Sequence, residues 1–141
     1  MVSRSIRVVI QSLEGFTTQI IRKVVLDIVA NLQRSPSNGG TPVDTGWARA
    51  NWIPNIGSPV GQPAGSRQQA EGGSVPGDSA AGAAKVATSY TVSQGAVHIT
   101  NNVPYILELN EGSSKQAPKG FVQSAIRKAI ITDLASGLGA L

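Results

Sequence analysis

One apolar stripe constrains the fold of this chain more than any other feature. Leu13, Phe16, Ile20, Val24, Ile28 and Leu32 recur at steps of three and four residues, flanked by Ile21, Val25 and Val29. That spacing returns to one side of a helix at every turn, while Arg22, Lys23, Asp27, Gln33 and Arg34 take much of the remaining surface. It predicts a long amphipathic helix ending near Arg34, where Ser35-Pro36-Ser37-Asn38-Gly39-Gly40 cannot extend the hydrogen-bond ladder. Upstream, Ile6, Val8 and Ile10 alternate with Arg7 and Val9 and predict a short opening strand. Ser12 would then cap the helix, with Glu14 in its first turn.

The rest of the chain reads as shorter pieces. Thr41–Thr45 is a turn in which Pro42 fixes its own φ and the Asp44 carboxylate can accept the amides of Gly46 or Trp47. Trp47–Ile56 predicts a helical turn followed by a strand around Ala50–Ile53. Residues 57–77 are rich in Gly, Pro, Ser and Gln without apolar periodicity, which predicts a long loop, mobile in the free subunit. Asp78 or Ser79 can cap an Ala-rich helix over Ala80–Thr88, interrupted by Gly82. Tyr90–Ser93 and Ala96–Thr100 flank a Ser93-Gln94-Gly95 turn, giving a hairpin or a helix-to-strand corner. Pro104 opens a short helix through Leu109 that Gly112 stops. After Pro118 a final helix buries Phe121, Val122, Ala125, Ile126, Ala129 and Ile130, and Gly137 and Gly139 let its tail fray.

The predicted class is α+β in a single domain over residues 1–141. A small, mainly antiparallel sheet of about three to five strands carries the N-terminal and C-terminal helices on one face. Sixteen Gly and eight Pro, concentrated in the middle, make the ordered core smaller than 141 residues suggest. With no Cys there is neither disulfide nor thiolate metal site, and no run is long enough to cross a bilayer. A signal-peptide apolar region is also missing from the N-terminus, so a soluble, non-secreted chain is expected.

Chemistry is thinly represented. His98 is the only histidine and alternates with Val97 and Ile99 in a predicted strand, where a lining imidazole is the plain reading. Glu108 and Glu111 lie one helical turn apart but lack the further ligands or bases that metal or acid–base chemistry needs. No Gly-Lys-Ser/Thr follows the glycines of 57–77, which removes the phosphate-loop reading. The expectation is therefore no catalytic residue, no cofactor and no metal. A net charge of +4 invites nucleic acid, yet the basic residues are spread out and only Lys115, Lys119, Arg127 and Lys128 group together. Trp52 reads as core, Trp47 as exposed or interfacial, and Asn101 and Asn102 as partners for open backbone groups at a strand end.

Two ordered motifs carry a family resemblance. Thr41-Pro42-Val43-Asp44-Thr45-Gly46-Trp47-Ala48-Arg49-Ala50-Asn51-Trp52 comes first, followed by the stretch from Ile99-Thr100-Asn101-Asn102-Val103-Pro104-Tyr105 through Leu107-Glu108 and Glu111-Gly112 to Ser114-Lys115-Gln116-Ala117-Pro118. Together they resemble the small head–tail joining proteins of long-tailed bacteriophages, known as neck, tail-completion or tail-terminator components. The likeness runs from about Ser5 to about Leu134. Trp47 departs from it, standing where the family often has a basic or aliphatic residue. The resemblance implies a structural virion protein at the head–tail junction, made in the host cytoplasm and assembling as a ring. A hexamer is the first expectation and a dodecamer the second, with adjoining neck, connector and tail-tube proteins as partners. Trp47, Arg49, Trp52, Arg67, Glu108, Glu111 and Lys115 are then the expected interface residues, and the 57–77 loop an assembly arm. The alternative is a basic DNA-binding accessory protein making non-specific contact with DNA.

Overall fold

The apolar stripe does form one helix, and the helix begins earlier than expected. In the computed structural model, which describes residues 4–43, 46–61 and 77–139, α1 spans Arg4–Leu32. The strand expected over Ile6–Ile10 is therefore helix, and Ser12 is an interior residue rather than a cap. The physical reason lies in the pattern itself. Val9, Leu13, Phe16 and Ile20 extend the stripe backward at steps of four, three and four, with no Pro before the long run begins. Extending an existing helix adds a hydrogen bond per residue without a new nucleation cost, whereas a lone strand would need a partner.

The other described elements are short. A 3₁₀ turn, Pro36–Asn38, closes α1, and α2 is a single turn, Trp47–Ala50. β1 (Ile53–Ile56) follows, three residues later than expected, then α3 (Gly77–Ser89), a 3₁₀ turn at Val92–Gln94 and β2 (Val97–Thr100). α4 (Ile106–Asn110) and α5 (Phe121–Gly139) complete five α-helices. β1 and β2 pair antiparallel, with Ile53 opposite Thr100 and Ile56 opposite Val97. The fold is α+β, but the sheet has two strands among the described residues, fewer than the three to five expected. Tyr90–Ser93 does not supply another, because the chain turns a helix-to-strand corner there. The Tyr90 ring is buried and its hydroxyl donates to the Gly95 carbonyl at 2.5 Å.

α1 is central because two of its sides are buried. Ile28 and Leu32, with Val24 beside them, pack with Trp52 and with Ala117, Phe121, Ala125 and Ala129 of the C-terminal half. Val25, with Ile21, meets Val86 and Tyr90 of α3 and its corner, and Ile99 of β2 touches both clusters. The sheet is thus held against α1 and, through the shared core, α5. α5 runs antiparallel to α1, as the Asn31 side chain donates to the Ala125 carbonyl at 3.2 Å and Gly137 lies against Ile20. Gly137 lies against the tip of the Ile20 side chain, and α5 continues through it to Gly139 rather than fraying there. Along α5 the buried row is Phe121, Ala125, Ala129 and Asp133, while Ile130, expected inside, is exposed.

Two expectations for α3 are corrected. Ser79 lies inside the helix and caps nothing; its hydroxyl donates to the Trp52 carbonyl at 2.6 Å and accepts from the Gln33 amide at 3.1 Å. Gly82 is not an interruption but the point of closest approach to β1, where a Cβ would meet the Pro54 carbonyl oxygen. Gly82→Ala should therefore lower unfolding stability by about 1–2 kcal/mol through overpacking, despite the better helix propensity of Ala. Urea unfolding followed by circular dichroism measures this. A variant as stable as the parent would show that α3 and β1 are not so closely packed.

Candidate functional site

The two motif segments lie some sixty residues apart in sequence, and side-chain amides tie them together. Gln116 makes a two-way bond with the backbone of Val43: its carbonyl oxygen accepts the Val43 N–H and its amide donates to the Val43 carbonyl, both at 2.8 Å. This is the hydrogen-bond exchange of a strand pair, made by one side chain. Asn101 donates to the Ala48 carbonyl at 2.8 Å and accepts the Val103 N–H at 3.1 Å, so the end of β2 is fastened to α2. Asn102 donates to the Val60 carbonyl at 2.8 Å. Both asparagines thus have the backbone-satisfying role expected of them. Trp47 and Tyr105 meet edge to face, ring centroids 5.8 Å apart at 62°.

Below this layer the chain is fixed by buried hydrogen bonds. The Leu32 carbonyl accepts both the Thr41 N–H at 3.0 Å and the Thr41 hydroxyl at 2.7 Å. That hydroxyl accepts the Trp52 indole N–H at 2.9 Å. On the other side of the layer Asn110 organises the start of α5. Its side-chain oxygen accepts the Val122 N–H at 3.0 Å and its backbone carbonyl accepts the Gly120 N–H at 2.7 Å. Helix N-termini carry N–H groups without helical partners, and Asn110 satisfies one of them from outside the helix.

Between the segments lies a cleft of about 80 Å³ lined by Pro42, Val43, Trp47, Tyr105, Leu109 and Gln116. Its lining is apolar and aromatic with amide edges, suited to receiving a side chain rather than moving a proton. Trp47 is half-buried here. Trp52 is in the core, which removes it as a contact residue even though its segment was expected to reach partners. Arg49 is half-buried, while Glu108, Glu111 and Lys115 are exposed. Glu111 shares a shallow depression with Lys119 and Arg127, whereas Lys128 borders another beside Arg34. The basic group read from sequence is thus divided and partly faced by a carboxylate. Arg67, Asp44 and most of the 57–77 loop lie outside the described residues. His98 is half-buried in β2 opposite Asn55. Among the described residues no group of three or more His, Cys, Asp or Glu is placed to hold a metal, and no helix is long and apolar enough to cross a membrane.

Sequence reasoning missed Thr41, Ser79, Asn110 and Gln116 as organising residues. The available signal for Thr41, Asn110 and Gln116 was position: each is a small or amide-bearing polar residue next to a chain reversal, where backbone groups need partners, whereas Ser79, inside α3, gave none. It also missed Asp133, which is buried on α5 with Lys23 Nζ 3.5 Å from one carboxylate oxygen. Lys23 sits closer to Asp27, at 3.0 Å. Burial, and then the neighbouring Asp27 carboxylate, push the Asp133 carboxyl above the usual range. Partial burial works against Asp27, but the hydrogen-bonded Lys23 ammonium outweighs it and holds Asp27 below the usual range. Both Asp133 oxygens are buried without a hydrogen-bond partner, with the Lys23 ammonium group as the nearest opposite charge among the described residues.

Comparison with known proteins finds no match to any protein-family model, curated protein or solved structure.

The sign of the pH effect follows from the raised Asp133. Its protonated form suits the fold, so its contribution is fully present below the ordinary value of 3.8 and is lost as pH rises through the raised folded value. Asp133→Asn keeps the shape without the charge. Its stability relative to the parent should improve from pH 3.5 to pH 7, by on the order of 1 kcal/mol. Urea titrations at the two pH values test this, and a relative stability that falls with pH would contradict it.

Proposed function

We propose that this chain is a structural joint of a bacteriophage virion, a ring-forming neck, tail-completion or tail-terminator protein acting between head and tail. The observation that carries the reading is the joining of the two resemblance-bearing motifs into one layer. Gln116 grips Val43, Asn101 grips Ala48, and Trp47 rests on Tyr105. Residues that recur together in such a pattern have a physical reason to do so if they build one surface. That surface offers an apolar cleft, half-buried Trp47 and exposed Leu107, with Glu108, Glu111 and Lys115 on the same stretch of chain. An aromatic centre with charged surroundings is the usual composition of a protein–protein contact. A closed ring needs one patch to meet a different patch on the neighbour, and a hexamer is the stoichiometry proposed. The partners proposed are further copies of the chain and the adjoining connector and tail-tube rings.

Two experiments test the reading. Deleting the gene should leave DNA-filled heads and finished tails that fail to join, visible in negative-stain images of lysates; joined, infectious particles would refute it. Trp47→Ala should keep the α1 core, losing about 0.5–1.5 kcal/mol with the Tyr105 contact, yet reduce joined particles sharply. Normal infectious yield from this variant would remove Trp47 as the contact residue.

A further inference from the structure

Asp133 is the only buried polar side chain among the described residues that the fold leaves without a hydrogen bond. It is 2% exposed on α5, and neither carboxylate oxygen has a donor. The Lys23 ammonium lies 3.5 Å from one of them, an ion-pair contact without a hydrogen bond. It is closer to Asp27, to which it donates at 3.0 Å. One point charge thus serves two acids, and Asp27 takes the better share. Burying a carboxylate without giving it donors is costly, so such a residue calls for a group that completes it. Asp133 also borders open space. It lines a groove of about 290 Å³ in which Phe16, Ile20 and Lys23 of α1 lie across from Ser136 and Gly137 of α5. The exposed lining is mostly hydrocarbon, and Gly137 has no side chain to cover the Phe16 ring beneath it. Lys23 is largely exposed, so its ammonium is free to withdraw toward Asp27 without loss of packing.

We infer that this groove receives one arginine side chain of a partner protein, its guanidinium on Asp133 and its methylene stem along Phe16 and Ile20. Charge complementarity calls for a cation, and the remaining features select this one. Both oxygens lack donors, and a guanidinium offers a carboxylate two parallel N–H groups, which a second ammonium does not. The hydrocarbon lining suits a stem of methylenes, and the Phe16 ring suits a guanidinium plane. A bare metal ion would need more oxygen ligands, and no group of three acidic or histidine ligands exists among the described residues. Size favours a side chain over a free molecule. The groove stands at the bottom of the ~300–1,000 Å³ range of small-molecule pockets, and one charged contact holds a free ligand only weakly. A partner's side chain enters with its backbone left outside, where further contacts add to the affinity. The site is distinct from the cleft between the motifs, and its assignment does not depend on the neck reading.

Capped amino acids probe the site in the full chain. N-acetyl-arginine methylamide, titrated at mildly alkaline pH to favour an ionised Asp133, should shift the backbone amide signals of Ser136 and Gly137 saturably. Capped lysine and capped citrulline, the uncharged isostere, should each bind at least about tenfold more weakly. Asp133→Asn should lower the arginine affinity at least about tenfold, with helical circular dichroism retained. Lys23→Met removes the competing ammonium and should raise that affinity at least about threefold. Because Lys23 is exposed, this variant keeps the test decisive even if Asp133→Asn fails to fold. No saturable shift in the parent would overturn the inference, as expected of a carboxylate served by water alone. Lysine or citrulline binding as tightly as arginine would overturn it too, as would an affinity unchanged in Asp133→Asn or lowered in Lys23→Met. Butylguanidinium bound at least about tenfold more tightly than capped arginine would make this a small-molecule site and refute the partner assignment.

Discussion

The architecture depends on the carbonyl of Leu32. It is the last residue of α1, and its oxygen accepts two hydrogen bonds from Thr41, one from the backbone and one from the hydroxyl. Thr41 then accepts the Trp52 indole N–H, Trp52 offers its own carbonyl to Ser79, and Ser79 accepts from Gln33 in the turn after α1. Thr41 and Ser79 are buried, so their hydroxyls cannot exchange their partners for water. Leaving one such group unpaired costs about 1–3 kcal/mol, more than a typical made bond contributes. The relay therefore dictates where the chain returns after α1, where β1 starts and how α3 approaches. Apolar packing supplies the driving force, but Ile, Val and Ala surfaces alone would accept several registers.

The proposed functional layer is built on that relay. Thr41 holds the first motif from below, and Gln116 and Asn101 attach the second from the side. Fixed amides hold the described part of the layer together, so its surface is set by hydrogen bonds as much as by packing. Small residues do much of the positioning. Ala48, Ala50, Ala117, Ala125 and Ala129 are buried, which brings backbones close around the buried Trp52 and Phe121, while Trp47 and Tyr105 meet at the margin.

Periodicity made the helices legible in the sequence. The α1 stripe, the Phe121-to-Ala129 face and the Pro104-to-Gly112 segment each carry a repeating or punctuated pattern that physics converts directly into a helix. The same reasoning failed over Ile6–Ile10, where β-branched alternation and helical spacing coexist and cooperativity from the adjoining helix decides. It also overcounted strands, since the corner at Tyr90 is set by a hydroxyl-to-carbonyl bond rather than by hydropathy. Gly82 looked like a weakness because its reason for being glycine is the Pro54 carbonyl, a neighbour distant in sequence. The motif residues were visible as a set, but the bonds joining them were not. Amide side chains such as Gln116 and Asn110 give no periodic signal, and their partners are fixed only once the chain has folded back.

Hydrogen exchange at the Trp52 indole N–H tests most directly whether the buried relay sets the fold. That proton is held by Thr41 in the interior, so it should exchange only through global unfolding, with a protection free energy equal to that from urea denaturation. In Thr41→Val the hydroxyl is lost, and protection at Trp52 should fall together with global stability. Exchange of the indole proton orders of magnitude faster than the core amides of α1 would contradict the account, because the relay would then open without the fold.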